Sequence, residues 1–457
     1  MKHSIILSAS FSMLALAAGL TSCEFEQEDF FDEPAALRIE STNADIKAKL
    51  VAGSSNGWLM QYFVAGTDEM TFEGFNLFGK FYETGKVTLS GNHRFLRNGN
   101  AGKYTEYTSY YEMLKEEGSV LAFNTWNDIL TVFVDPVSPN YAPNNVVNDG
   151  EGMNGDDRLV MQSYSDDYME FRGERHGAKV YFSKLDRSPE QYMADIESLK
   201  SAVAGDFLTE YSLTNGDTTV YISGLNKGYF NILDRLDDPL QSSTYSCVFT
   251  PDGFRMQFPY DLKGDSVQIF KLNSDKTALV CGNATLKPEW VRPVKVALTT
   301  NDKALITQDG ACDQFVQLYQ ALADGVKENY SSQDFAGISF GTSNESLSNR
   351  RTGIIFNMKA SRNTYQVAYT TQITVDGPDA VTLAVDLNDP SANYATYSKR
   401  GLGPLFDALA QALSGTYKLE ADQPFNPTMI TWKKTNDPNF YFQMELIHPT
   451  SSNNNIK

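Results

Sequence analysis

The chain has 457 residues, 41% of them hydrophobic, which is enough apolar material for two or three separately packed cores. Its 57 acidic residues outnumber 38 basic ones, leaving a formal charge of −19. That balance excludes the basic footprint of a nucleic-acid-binding protein and direct attraction to anionic lipid headgroups.

The first residues, Met1-Lys2-His3, make a short positive start. An apolar stretch dotted with serines runs from Ile5 to Ala18, and small residues lead to Cys23. This is the three-part layout of an export signal. It is too short and too serine-rich for a spanning helix, which needs ~20 mostly apolar residues. Leu20-Thr21-Ser22-Cys23 resembles the bacterial lipoprotein box, in which signal peptidase cuts before the cysteine. The resemblance implies that residues 1–22 are removed and that Cys23 carries acyl chains as a lipid anchor in the outer membrane. Each buried methylene then contributes roughly 0.8 kcal/mol, and more than one chain gives stable anchoring. The plainer alternative is an ordinary secretory signal with an incidental cysteine. Glu24, Glu26, Glu28 and Asp29 follow at once. They resemble the acidic surface-export signal of Bacteroidota-type lipoproteins, and they also suit a solvated tether over residues 23–36. The expected location is the outer membrane, facing the cell exterior.

Beyond the leader the dominant pattern is β. Phe75, Leu77 and Phe81 alternate on one face, Glu83-Thr84-Gly85 turns, and Val87 and Leu89 return, which predicts a hairpin. Ser119 to Asp135 reads as two strands around Trp126-Asn127-Asp128. Arg158 to Leu185 reads as three more, broken at Ser165-Asp166-Asp167 and Glu174-Arg175-His176-Gly177. Pro189 to Ala204 reads as a helix, with Ser188 as cap, Gln191 completing a capping box, and Tyr192, Ile196, Leu199 and Val203 as one stripe. Further helices are expected over Asn43–Ala52, Phe315–Val326 and Pro404–Leu413. Three of these helices lead through glycine, at Gly53, Gly205 and Gly415, into an aromatic strand, a recurring helix–strand unit. The fold class expected is mainly β (β-rich α+β): antiparallel meander barrels or sandwiches, each with an accessory helix. The expected domains are 37–187, 188–300 opened by the helix, and 301–457.

Chemistry-bearing motifs are sparse. Cys247 and Cys281 sit in strand-like runs and could pair if those strands are neighbours; otherwise they and Cys312 are small core residues. Gly150-Glu151-Gly152-Met153-Asn154-Gly155 has dinucleotide-loop spacing but lies in an acidic loop with no helix after it. A calcium ion suits such a loop better, although the spacing fails the helix–loop–helix consensus. Gly337-Ile338-Ser339-Phe340-Gly341 has the spacing of an esterase nucleophile elbow, with Asp386 and His448 downstream, but no helical stripe follows. His93, His176 and His448 are scattered, so no metal or cofactor is expected. Trp58, Trp126, Trp290, Trp432 and the cluster Tyr104, Tyr107, Tyr110 and Tyr111 either stack on sugar rings or pack β-cores. Trp58 and Trp126 are the chosen ligand-binding candidates.

Asn56-Gly57-Trp58, the stretch Gly74–Gly85, Val120–Pro136 and Gly155–Gly173 together resemble the N-terminal region of Bacteroidota lipoproteins called domain of unknown function 4302. The match covers most of residues 37–187 and, more loosely, the helix from Ser188. It departs at Asp157-Arg158, where an aromatic and an acid are expected. The resemblance implies a surface or outer-membrane lipoprotein found alongside nutrient-uptake transporters, and it implies no catalytic residue. The expected function is non-catalytic: binding a glycan or peptide nutrient, or serving a transporter complex. The alternatives are a glycan or peptide hydrolase using carboxylates that the sequence does not single out, and an adhesin or structural subunit with an exposed edge strand.

Overall fold

The computed structural model describes residues 34–66, 71–116, 118–136, 152–204, 210–234, 242–289, 304–377, 379–425 and 427–446. The chain is mainly β, built from one open antiparallel sheet and two closed antiparallel barrels.

The open sheet uses β1 (Trp58–Phe63), β2 (Phe75–Phe81), β3 (Lys86–Gly91), β4 (Thr105–Tyr110), β5 (Glu112–Lys115), β6 (Ser119–Ala122), β7 (Arg158–Tyr164), β8 (Tyr168–Gly173) and β9 (Lys179–Lys184). Their order is β4-β3-β2-β1-β9-β8-β7-β6-β5, so the sheet curls into a half-barrel. Met60 lies opposite Leu77 on one side and Phe182 on the other. These residues share an interior core with Trp58, Tyr62, Phe171 and Leu159. Helix α1 (Ala35–Ala52) packs on that core through Ile46 and Leu50, and its Asn43 donates to the Leu114 carbonyl at 3.0 Å. The helix therefore begins eight residues before the expected Asn43. Its added turns are mostly exposed, so they carry no apolar stripe to read.

The expected hairpin over residues 75–89 and the three strands from Arg158 are present. The pair of strands expected between Ser119 and Asp135 is not. After β6 the chain bends and forms a one-turn helix, α2 (Thr131–Val134). Asn127 is the cause. Its Oδ1 accepts from the Ile129 N–H at 3.0 Å, its Nδ2 donates to Ser109 Oγ at 2.8 Å, and its own N–H donates to Thr131 Oγ1 at 2.9 Å. Such side-chain bonds offer the backbone an alternative to a ladder.

The second unit is opened by helix α3 (Pro189–Val203). Ser188 Oγ accepts from the Gln191 N–H at 3.2 Å, but the Gln191 side chain donates to Asp195 rather than reaching back, so the expected box is half formed. Its barrel runs β10 (Glu210–Asn215), β11 (Thr218–Ser223), β12 (Tyr229–Leu233), β13 (Ser242–Thr250), β14 (Gly253–Leu262), β15 (Asp265–Leu272), β16 (Leu279–Cys281) and β17 (Ala284–Pro288). β10 closes on β17, with Leu213 opposite Leu286. Cys247 on β13 and Cys281 on β16 are both free thiols. Strands β14 and β15 separate them in the sheet, each spaced by about 4.8 Å, so the pairing considered from sequence does not form.

The third unit is a barrel of β18 (Ala304–Ile306), β19 (Asp334–Thr342), β20 (Thr352–Ala360), β21 (Asn363–Gly377), β22 (Ala380–Pro390), β23 (Gly415–Ala421), β24 (Met429–Lys434) and β25 (Asp437–Leu446), closed by β18 on β25. Helices α4 (Asp313–Asn329), α5 (Ala392–Ser398) and α6 (Gly403–Leu413) share its core through Phe315, Leu322, Tyr397, Phe406 and Leu409. Closure leaves neither barrel an unpaired edge.

Candidate functional site at the seam between the half-barrel and the second unit

Strand β1 reads Trp-Leu-Met-Gln-Tyr-Phe, and all six residues are buried. Trp58, Met60 and Tyr62 face the half-barrel interior; Leu59 and Phe63 face the other way. A strand buried on both faces needs a cover on its outer side, and the second unit supplies it. Leu59 and Phe78 join one core with Tyr192, Ile196 and Leu199 of α3 and Phe249 of β13. Phe63 and Tyr181 pack with Val248.

Hydrogen bonds fix this seam. The Gly74 N–H donates to the Cys247 carbonyl at 2.9 Å, Ser246 Oγ to the Phe72 carbonyl at 2.6 Å, and Asn76 Nδ2 to the Phe249 carbonyl at 2.8 Å. The Tyr181 phenol donates to the Gln257 carbonyl at 2.9 Å and accepts from Gln268 at 3.1 Å. Gly74 is needed for the fit, because a Cβ there would stand 2.4 Å from the Phe63 ring.

Two recesses open along the seam, both lined in part by α3. The larger has a volume of about 550 Å³. Glu73, Arg94, Lys200, Lys227, Glu197 and Phe249 give its wall both charge signs and an aromatic face. Arg94 forms a fork with Glu73, Nε to Oε1 and Nη2 to Oε2 both at 2.9 Å, and its guanidinium lies 4.7 Å from the Phe95 ring. The Lys200 ammonium sits 5.7 Å from the Phe249 ring. Such a surface can hold a polar, extended ligand with hydroxyls or amides.

Two reactive side chains lie behind this recess, and neither is primed for chemistry. Cys247 is fully buried, and burial pushes its thiol well above the usual range, so it carries no thiolate. His93 donates from Nε2 to the Ile129 carbonyl at 3.0 Å, which leaves Nδ1 as an acceptor without a partner among the described residues. Phe75, Phe95 and Phe133 surround the ring, and burial lowers its pKa to about 4.

The smaller recess, about 350 Å³, is lined by Gln61, Lys184, Arg187, Arg255, Lys271 and Asp252 among others. A third hollow of about 590 Å³ lies on the outer face of β2–β4, where several lining polar groups already bond each other. Thr88 and Thr108 pair at 2.8 Å, and the Tyr104 phenol bonds Ser90 and Glu106.

The residues singled out from sequence divide clearly. Trp58 is sealed in the core with its Nε1 bonded to the Leu50 carbonyl at 2.9 Å, so it offers no face to a ligand and that expectation is corrected. Trp126 is 45% exposed, with Arg97 4.9 Å from its ring and its Nε1 donating to Asp128, and it does not line either seam recess. Trp432 is buried in the third barrel. Tyr111 is buried, whereas Tyr107 and Tyr110 are exposed. Ser339 is a buried strand residue accepting from Asn357 Nδ2 at 2.9 Å, with no helix after its glycine. Cys23, Glu24, Glu26, Glu28, Asp29, Trp290, His448 and the start of the acidic glycine loop lie outside the described residues. Among the described residues no cluster of His, Cys, Asp and Glu could hold a metal ion, and no helix is long and apolar enough to cross a membrane. Sequence reasoning missed the seam. The run Trp58-Leu59-Met60 with Tyr62 and Phe63, apolar on both faces of β1, is the signal that could have shown a second covered face.

A family model described as domain of unknown function (DUF4302) matches residues 27–274, more than half of the chain. The match takes in the half-barrel, α3 and the second barrel through β15, and therefore both sides of the seam. No curated protein matches the chain.

Proposed function

The chain belongs to the domain of unknown function DUF4302 family, and from that premise we propose that it is an outer-membrane, surface-exposed lipoprotein acting as a non-catalytic binding or accessory component of nutrient uptake. Cys23 carries the lipid anchor, and the acidic residues after it direct the protein outward and keep the tether solvated. The ligand is a glycan or a peptide, handed on to a transporter complex.

One observation carries this reading: the larger recess is formed by the family-matched stretch itself, and cross-seam hydrogen bonds hold its walls. A preformed site loses less ordering entropy on binding than one that must assemble. Its mixed charges and aromatic face suit polar ligands of variable sequence better than a single reacting bond.

The test is calorimetric titration of the full chain with a panel of soluble oligosaccharides and short peptides. A ligand of this site binds wild type saturably and binds Lys200→Ala at least tenfold more weakly. If every ligand that binds is indifferent to both Lys200→Ala and Arg94→Ala, the recess is not the site.

A further inference from the structure

The smaller recess carries a charge opposite to that of the chain. In a protein of net charge −19, it is lined by four cations, Lys184, Arg187, Arg255 and Lys271, against two carboxylates, Asp186 and Asp252. Three of the cations are already engaged. Arg187 bonds Asp186 and Asp195, Lys271 pairs with Asp252 at 2.9 Å, and Lys184 with Asp167 at 3.0 Å.

Arg255 is different. Among the described residues its guanidinium has no hydrogen-bond or ion-pair partner. It lies over the Tyr181 ring at 4.4 Å and within 5.8 Å of the Tyr168 ring. A guanidinium laid on an aromatic face keeps its in-plane N–H fork free, and that fork matches an oxyanion bidentately. A second donor lines the same recess: Gln61 is 4% exposed, and its Nε2 has no partner among the described residues. Buried donors left unmade are costly and call for an acceptor. The Tyr181 ring is itself fixed by its bonds to Gln257 and Gln268, so the platform under Arg255 is rigid.

We propose that this recess is a binding subsite for an oxyanion group of a small acidic ligand, a carboxylate or a sulfate, gripped by Arg255 with Gln61 as the second donor. Planar bidentate geometry favours the carboxylate. The subsite is separate from the larger recess and does not depend on lipidation or transport, so it stands or falls by itself.

The experiment is calorimetric titration of the full chain with sodium glucuronate, glucose and sodium sulfate. Glucuronate binds saturably, one per chain, and glucose does not. Arg255→Gln weakens glucuronate at least tenfold, and Gln61→Leu weakens it severalfold, which keeps the test alive if one variant misfolds. Arg255→Lys, which keeps the charge and loses the fork, weakens glucuronate more than sulfate if a carboxylate is the natural group, and equally if a sulfate is. Lys80→Gln, on the outer face of β2, leaves binding unchanged. Absence of saturable binding by both anions, glucose binding as tightly as glucuronate, or affinities unaltered by both Arg255→Gln and Gln61→Leu would overturn the proposal.

Discussion

The phenol of Tyr211 donates a 2.6 Å hydrogen bond to the main-chain carbonyl of Val203, at the last residue of α3. The arrangement recurs. Trp58 Nε1 reaches the Leu50 carbonyl of α1 at 2.9 Å, and the Tyr417 phenol reaches the Leu413 carbonyl of α6 at 3.0 Å. A helix ends with carbonyls that have no partner within it. In each unit the strand that follows brings back an aromatic side chain whose polar tip satisfies one of them. Tyr211→Phe takes this donor away from a buried carbonyl, so it lowers stability by about 1–3 kcal/mol. Urea denaturation checks this. A variant as stable as wild type would mean that the bond is incidental.

Asp156 is a buried carboxylate that, among the described residues, accepts from main-chain N–H groups only: Arg175 at 2.9 Å, His176 at 3.0 Å and Ala178 at 3.0 Å. Its own backbone is clasped by Tyr62, whose phenol donates to the Asp156 carbonyl and accepts from its N–H. Gly155 and Gly173 leave room for it, since a Cβ at either would collide with Phe133 or with the carboxylate itself. Asp156→Ala strips the acceptor from three buried or half-buried donors and lowers stability by about 3 kcal/mol or more. A melting curve close to wild type would refute that role.

His93 makes stability depend on pH. Burial holds its folded pKa near 4, below the usual 6.5, so the folded state keeps the ring neutral while the unfolded chain takes up a proton. Stability is therefore unaffected by this group above about pH 6.5 and falls as pH drops from there toward 4, by a few kcal/mol in all. His93→Gln, whose amide can still donate to the Ile129 carbonyl, flattens that slope. Denaturant midpoints measured from pH 4 to pH 7 decide it, and parallel curves for the two proteins would contradict the account.

Gly74 tests the seam as a unit. In Gly74→Ala the new methyl meets the Phe63 ring and Val248 at once, with the Gly74–Cys247 bond beside it. Overpacking of this kind costs roughly 1–3 kcal/mol. Limited proteolysis shows faster cleavage near β13 in the variant if the seam has loosened, and an unchanged pattern if it has not.

Much of the architecture is legible in the residues. Period-two alternation marks β2 and β3 because Phe75, Leu77, Phe81, Val87 and Leu89 share one core-facing side, and Ser188-Pro189 with its apolar stripe marks α3. The turn at Asn127 is hidden because it rests on side-chain bonds to Ser109 and Thr131 that composition does not reveal. The first turns of α1 are hidden because they bury almost nothing. The family-like motifs Asn56-Gly57-Trp58 and Gly155-Asp156 prove to be packing and capping devices, which is why they point to fold and not to chemistry. The seam itself is illegible to a local reading, since Gln61 and Arg255 meet only after the half-barrel and the second barrel have docked.

The proposal that this chain is a surface lipoprotein serving uptake is checked by co-purification from mildly solubilised envelopes, with tagged wild type beside Cys23→Ala. The account predicts that an outer-membrane transporter accompanies wild type and is lost with Cys23→Ala, which leaves the membrane fraction. Retention of the Cys23→Ala protein in the membrane, or a surface-located wild type that brings no transporter with it, would contradict the account.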